Sequence, residues 1–271
     1  MPQLNVVRSG SGPRVALVHG FTQSAGSWAP LVAALEDREL VMPDLPGHGG
    51  SPLAEGGLAG AARLLGEACG PATYVGYSLG GRTCLHLAFL RPELVERLVL
   101  VSTSAGIDDL SARDERRASD EALAARLEAG GDDALPDFVE EWLSGPLFSH
   151  LDPAQADRAS RLVNSAAGLA SSLRQCGAGT QLPLWEELRT LTMPVLVVAG
   201  EHDPKYVDLG ARLASAVSDA QFVVAAGAGH SVPFEVPDAF AALVRAFTTR
   251  SRSQTGSRTP ATTFPSSPAQ E

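Results

Sequence analysis

The feature that most restricts how this 271-residue chain can fold is Gly76-Tyr77-Ser78-Leu79-Gly80, a GxSxG run between two contrasting patterns. Residues 72–77 read as a short apolar strand, and residues 79–90 carry the spacing of a helix. By itself GxSxG recurs in many chains by chance, so its context is what carries weight. A strand that turns into a helix across one residue needs small flanking residues, which Gly76 and Gly80 supply. Such a turn lifts the Ser78 hydroxyl above the sheet and aims the positive end of the helix dipole at it.

The rest of the pattern agrees. Short runs rich in Val and Leu, with little alternation, fall at 14–19, 39–43, 72–77, 97–102, 194–199 and 221–226. Strands covered on both faces read this way. Helical patterns at 58–69, 79–90, 207–217 and 237–248 alternate with them, which predicts an α/β fold with a doubly wound, mostly parallel sheet. Between 105 and 190 the strand-like runs give way to helical stretches rich in Asp, Glu, Arg and Ala. The expected organisation is a core made of 1–104 and 191–249, with 105–190 inserted as a helical lid. The lid would cover the carboxyl ends of the strands, where open α/β sheets bind ligands. Residues 250–271, dominated by Ser, Thr, Pro and Gln, are expected to form a disordered tail.

Composition narrows the function classes. A net charge of −10 opposes binding to nucleic acid or an anionic membrane surface. No run of about eighteen apolar residues offers a membrane span, and MPQLNVVRSG has no basic start followed by an apolar stretch. Cys69, Cys84 and Cys176 form no CxxC pair and no metal spacing, so they read as free buried thiols in a reducing compartment. The expectation is a protein of the cytoplasm, or of an organelle if a targeting peptide has been removed, without a metal site. Lys205 is the single lysine among 21 basic residues. The cationic chemistry is therefore that of arginine, whose planar fork suits carboxylates.

A serine hydroxyl is inert until a histidine draws off its proton. His230 follows the last expected strand in Gly227-Ala228-Gly229-His230, and Asp203 follows the strand before it in Gly200-Glu201-His202-Asp203. The chain order Ser, Asp, His is the one a nucleophile elbow on an α/β sheet uses. Glu201 competes for the acid, but Asp203 is preferred because its position matches the usual acid of such a sheet, while His202 is expected to be exposed and uninvolved. At the end of the first central strand, His19-Gly20-Phe21 would place the Phe21 backbone N–H beside that of Leu79 as an oxyanion hole. His19 itself is expected to orient that loop, and Asp44 and His48 to make loop hydrogen bonds. Arg82 lies four residues after Ser78, on the same helix face. It needs an anion there, either a substrate group or a carboxylate of the core or lid. By periodicity alone Arg116 and Arg161 read as solvated charges.

At these residues a resemblance appears. Pro43-Asp44-Leu45-Pro46-Gly47-His48-Gly49-Gly50-Ser51, Val75-Gly76-Tyr77-Ser78-Leu79-Gly80-Gly81-Arg82, Gly200-Glu201-His202-Asp203-Pro204-Lys205-Tyr206 and Ala228-Gly229-His230 resemble the 2-succinyl-6-hydroxy-2,4-cyclohexadiene-1-carboxylate synthase (MenH) family of α/β-hydrolase-fold enzymes. The resemblance enters the expected lid through Trp142-Leu143-Ser144-Gly145-Pro146-Leu147-Phe148, Arg161-Leu162-Val163-Asn164-Ser165 and Gly168-Leu169-Ala170. It covers nearly the whole chain except the tail. It implies a Ser78, Asp203 and His230 triad, carboxylate-binding Arg82, Arg116 and Arg161, and pocket aromatics Tyr77 and Trp142. Arg113 or Arg117 can stand in for Arg116 in the alignment. The implied substrate is a small anionic polycarboxylate and the implied reaction eliminates pyruvate, with no metal or organic cofactor. The rival readings are a carboxylesterase or carbon–carbon bond hydrolase with the same triad and, further off, a non-enzymatic receptor on the same scaffold.

Overall fold

The structure is a computed structural model, and it describes residues 3–249 and 262–264. Among the described residues eight strands form one sheet: β1 (Val6–Ser9), β2 (Arg14–Val18), β3 (Glu39–Pro43), β4 (Ala72–Tyr77), β5 (Val95–Val101), β6 (Val195–Gly200), β7 (Ala220–Ala225) and β8 (Thr262–Phe264). Their order across the sheet is β1-β3-β2-β4-β5-β6-β7-β8. β1 runs antiparallel to β3, and every other pairing is parallel. The chain is thus an α/β hydrolase fold with a mostly parallel, doubly wound sheet.

The helices are α1 (Ala29–Val32), α2 (Gly57–Cys69), α3 (Leu79–Leu90), α4 (Leu110–Gly130), α5 (Leu135–Leu143), α6 (Arg158–Arg161), α7 (Ala166–Cys176), α8 (Pro204–Ala216), α9 (Val232–Glu235) and α10 (Pro237–Thr249). On one face of the sheet Leu65 of α2, Leu85 and Leu87 of α3 and Leu213 of α8 are buried in a single apolar cluster. The other face is closed by Leu31 of α1 together with Phe240 and Val244 of α10. This double cover explains why the central strands lack a polar alternation: every residue of β4 and β6 is buried.

Between β5 and β6 there is no strand, only α4 to α7 and short turns. These helices hold their own apolar cluster, with Leu127, Phe138, Val139, Leu169 and Leu173 buried in it. Phe21, from the loop after β2, packs against both this cluster and the main core, so it is an apolar joint between them. A polar joint stands beside it. Asn164 donates to the Thr22 carbonyl at 2.6 Å and accepts from the Gly49 N–H at 2.8 Å.

Two strands depart from the sequence expectation. β1 is four residues long with two exposed positions, too short and too polar to show a strand pattern, yet it pairs along β3. β8 lies within the stretch expected to be disordered, where Thr262-Thr263-Phe264 runs parallel along the edge of β7. A sheet edge presents unpaired N–H and C=O groups, and β-branched and aromatic residues suit it. The remainder of that expected tail lies outside the described residues.

Burial also sets a pH dependence. His48 and His86 are desolvated, which lowers their pKa values to about 3 and about 4, and burial lowers His19 as well. Above the ordinary histidine pKa both folded and unfolded forms are neutral. Below it the unfolded chain binds protons that the folded chain refuses, so stability falls as the pH drops. Between pH 6 and 5, unfolding should take up about two protons from His48 and His86, with His19 acting in the same direction. Urea unfolding at several pH values measures this uptake, and His48→Asn should reduce it by about one proton.

Candidate active site

Ser78 is forced into place by contact rather than by preference. Its backbone has φ 51° and ψ −111°, a left-handed conformation that strains a residue with a Cβ. The strain persists because the chain on either side cannot relax. A Cβ on Gly76 would stand 2.5 Å from the Gly80 carbonyl oxygen, and one on Gly80 would stand 2.1 Å from the carbonyl oxygen of Val18. α3 therefore lies directly against β2 and β4. The Ser78 N–H donates to the Val101 carbonyl at 2.9 Å, and the Thr103 hydroxyl donates to the Ser78 carbonyl at 2.8 Å.

The ends of four strands meet at this serine. His230, in the loop after β7, has Nε2 3.4 Å from Ser78 Oγ and Nδ1 2.7 Å from Asp203 Oδ2. His230 and Asp203 are both buried. Asp203 also caps α8, so the acid is fixed by the helix that starts beside it. Glu201, the competing acid, is exposed and accepts the Gly227 N–H at 2.9 Å, tying the two loops together away from the serine. His202 is exposed and stacks on His150. The Ser–His spacing is longer than a tight hydrogen bond.

Leu79 is the first residue of α3, a position whose N–H has no acceptor within the helix. Phe21 lies in the turn after β2, where its ring meets Trp142 edge-on at 5.1 Å. That turn is held from several sides. The Gly20 N–H donates to Gln23 Oε1 at 3.0 Å. Thr22, at φ 67°, receives Arg161 Nη1 on its hydroxyl and Asn164 Nδ2 on its carbonyl. His19 is buried, with Nδ1 against the Gly20 carbonyl at 2.8 Å and Nε2 accepting the Leu45 N–H at 2.9 Å, so it orients two loops. Asp44 accepts from the Ala25 N–H, the Gly50 N–H and Asn5 Nδ2, while His48 Nδ1 bonds the Pro46 carbonyl. Both serve the loop architecture, as expected.

A cavity of about 280 Å³ opens beside Ser78. Phe21, Leu79, Leu123, Trp142, Leu147 and Leu173 give it apolar walls. Arg82, Arg116, Asp120 and Tyr206 form its charged and polar end. The half-buried Arg82 donates to the Cys176 carbonyl at 2.7 Å, and burial lowers its pKa. Among the described residues no carboxylate lies within ion-pair distance of it. Arg116 donates to Asp120 at 2.8 Å, and its side chain keeps 41% of its surface exposed. Arg117 turns instead to Asp114 and the Gly179 carbonyl, and neither it nor Arg113 lines the cavity. Among the described residues the indole Nε1 of Trp142 is buried without a partner.

Two expected residues stand behind the cavity wall. Arg161 is buried, donating to Thr22 and to the Ala156 carbonyl at 2.8 Å, with its guanidinium over the Phe148 ring at 5.9 Å. Tyr77 is buried with its hydroxyl 3.0 Å from Ser231 Oγ and its ring 5.5 Å from that of His230. Three residues were not singled out from sequence: Tyr206, Asp120 and Asn164. Tyr206 had a usable signal, since it lies three residues after an acid that caps a helix and so stays near that acid.

Residues 15–243 match the model of the Alpha/beta hydrolase family. The chain is 33% identical over 249 residues to a Bacillus subtilis (strain 168) protein assigned as 2-succinyl-6-hydroxy-2,4-cyclohexadiene-1-carboxylate synthase, covering 87% of this chain and 90% of that one. It is 30% identical over 250 residues to the Yersinia pseudotuberculosis serotype O:3 (strain YPIII) protein of that name, covering 89% of each. The solved structure of MenH from S. aureus superposes with a TM-score of 0.81 at 27% identity, covering 91% of this chain and 98% of the other. The chain therefore belongs to the α/β hydrolase family and, within it, to the 2-succinyl-6-hydroxy-2,4-cyclohexadiene-1-carboxylate synthase (MenH) family.

Proposed function

We propose that this protein eliminates pyruvate from 2-succinyl-5-enolpyruvyl-6-hydroxy-3-cyclohexene-1-carboxylate to form 2-succinyl-6-hydroxy-2,4-cyclohexadiene-1-carboxylate, a step of menaquinone or phylloquinone biosynthesis. The observation that carries the reading is that Ser78, backed by His230 and Asp203, shares one cavity with Arg82 and Arg116. A site for a neutral ester has no need of guanidinium groups, whereas this substrate carries several carboxylates.

The names of substrate and product define the bond changes. One proton leaves ring carbon 2, the alkene between carbons 3 and 4 becomes a 2,4-diene, and the bond from carbon 5 to the enolpyruvyl oxygen breaks. Carbon 2 is acidic because it adjoins the succinyl ketone. Ser78, its own proton drawn to His230, takes the carbon 2 proton. The ketone oxygen gains charge as the enolate forms and meets the N–H groups of Phe21 and Leu79. Electrons then move through the ring and expel enolpyruvate, which takes a proton to become pyruvate. Asp203 holds the His230 ring and supports its charged form. No step calls for a metal or an organic cofactor.

The helical segment 105–190 acts as a lid in this reading, because it carries Arg116 and Trp142 into the cavity. Arg161, from the same segment, adds positive field from behind Thr22 and steadies the oxyanion turn. The reading also implies a cytoplasmic enzyme that acts on a soluble anionic substrate and not on nucleic acid. Among the described residues no helix is long and apolar enough to cross a membrane.

Mixing the purified protein with the enolpyruvyl substrate should release pyruvate at a rate that a chelator leaves unchanged. Ser78→Ala should lower kcat by about 1,000-fold or more while substrate still binds, since the base is lost and the arginines remain. Near-normal turnover would mean that His230 abstracts the proton directly. The arginines divide further. Arg82→Ala and Arg116→Ala should cost about 2–5 kcal/mol in kcat/KM for the polycarboxylate, with partial recovery in the lysine variants. Hydrolysis of a small neutral ester should barely respond to either. Arg161→Ala should depress both activities together, because it holds Thr22 in the oxyanion turn that both reactions use. Equal losses on both substrates for Arg82→Ala would remove its role in carboxylate binding.

A further inference from the structure

Tyr206 has no part in the triad or in the oxyanion hole, yet its ring touches His230 and it lines the cavity that Ser78 shares with Arg82 and Arg116. It is the third residue of α8, and its N–H lies against the carbonyl of Asp203 at 3.0 Å. Its ring meets the His230 ring at 4.6 Å with an interplanar angle of 60°. The Lys205 ammonium sits 5.8 Å from the ring centre. These contacts fix the ring and so limit where the phenol can point.

Tyr206 lines the same cavity as Arg82, Arg116 and Trp142. Burial raises the phenol pKa, the fields of Arg82 and Arg116 act to lower it, and that of Asp203 acts to raise it, with a net rise. The hydroxyl therefore stays protonated at neutral pH and is a donor. Among the described residues it has no hydrogen-bond partner, in contrast to Tyr77, whose hydroxyl is spent on Ser231. Arg116 gives its Nε to Asp120, and Arg82 gives Nη1 to the Cys176 carbonyl, so each guanidinium keeps other N–H groups for a ligand. A neutral donor beside two cations suits a carboxylate oxygen, which accepts several hydrogen bonds at once.

We propose that the Tyr206 hydroxyl is a substrate-binding donor, completing with Arg82 and Arg116 a three-sided site for one carboxylate of the substrate. This rests on the reading of the cavity as a polycarboxylate site. The contact is made alike in the bound substrate and in the transition state, so it governs KM more than kcat. The Tyr206 ring, by contrast, serves as a wall for His230.

Tyr206→Phe removes the hydroxyl alone and keeps the ring against His230. With the enolpyruvyl substrate, KM should rise about 10-fold, the value of one hydrogen bond to a charged group, while kcat stays within about threefold. Hydrolysis of a small neutral ester and the kinetic pKa of the reaction should not change. An unchanged KM would overturn the assignment. So would an equal loss on the ester, which would mean that the hydroxyl serves the triad. A second arm does not depend on the physiological substrate: phenylmethylsulfonyl fluoride labels the serine, and succinate should slow that labelling. Succinate should protect Tyr206→Phe about 10-fold less well than the unaltered protein. Equal protection of both proteins, or protection of neither, would count against the proposal. If the unaltered protein releases no pyruvate, the proposed reaction falls, and the succinate arm still decides the role of Tyr206.

Discussion

The structure depends on how closely α3 is pressed onto β2 and β4. With the Gly80 position held against the Val18 carbonyl, no side chain fits between helix and sheet, and Ser78 must take up a left-handed backbone to join them. Everything that makes the serine useful follows from that contact. The hydroxyl stands clear of the sheet, the first N–H of α3 is beside it, and the face of α3 one turn further on carries Arg82 into the same space. A left-handed residue of this kind costs about 1–3 kcal/mol, which the double apolar cover of the sheet offsets.

The second constraint is charge in a confined place. An acidic protein holds Arg82 half-buried with a neutral carbonyl as its partner, and holds Arg161 buried against a threonine hydroxyl and a backbone carbonyl. Guanidinium groups do not lose their protons in proteins, so the lowered pKa of each expresses the cost of holding a charge away from water. For Arg82 an anionic ligand in the cavity would offset that cost. Asp120, buried at the same end of the cavity, fixes Arg116 by an i,i+4 ion pair while leaving the guanidinium edge accessible.

What could be read in the sequence follows from which interactions are local. The elbow, the four main helices of the core and the six central strands each leave a pattern within a few residues, so they were legible. That Ser78, Asp203 and His230 would meet was legible too, because strand ends in this topology gather at one edge and the chain order named the three. Position in the loop favoured Asp203 over Glu201 as the acid, and the structure turns Asp203 to His230 and Glu201 to the Gly227 N–H. β1 and β8 left little trace, since each is short and exists because a sheet edge accepts it. The staple from Asn164 to Thr22 spans 142 residues, and no local pattern encodes it. Arg161 likewise aligned as a ligand-binding residue, but its contacts put it one layer behind the cavity wall.

The central claim is that this triad abstracts a proton and expels a leaving group, and does not acylate its serine. The most direct measurement is mass spectrometry of the reaction mixture with the enolpyruvyl substrate, covering both the products and the intact protein. The account predicts one pyruvate per molecule of a ring product that keeps its succinyl group and has gained the conjugated diene, with no adduct on Ser78 during turnover. Free succinate with a ring lacking its side chain, or an acyl group captured on Ser78, would contradict it and make the protein a hydrolase.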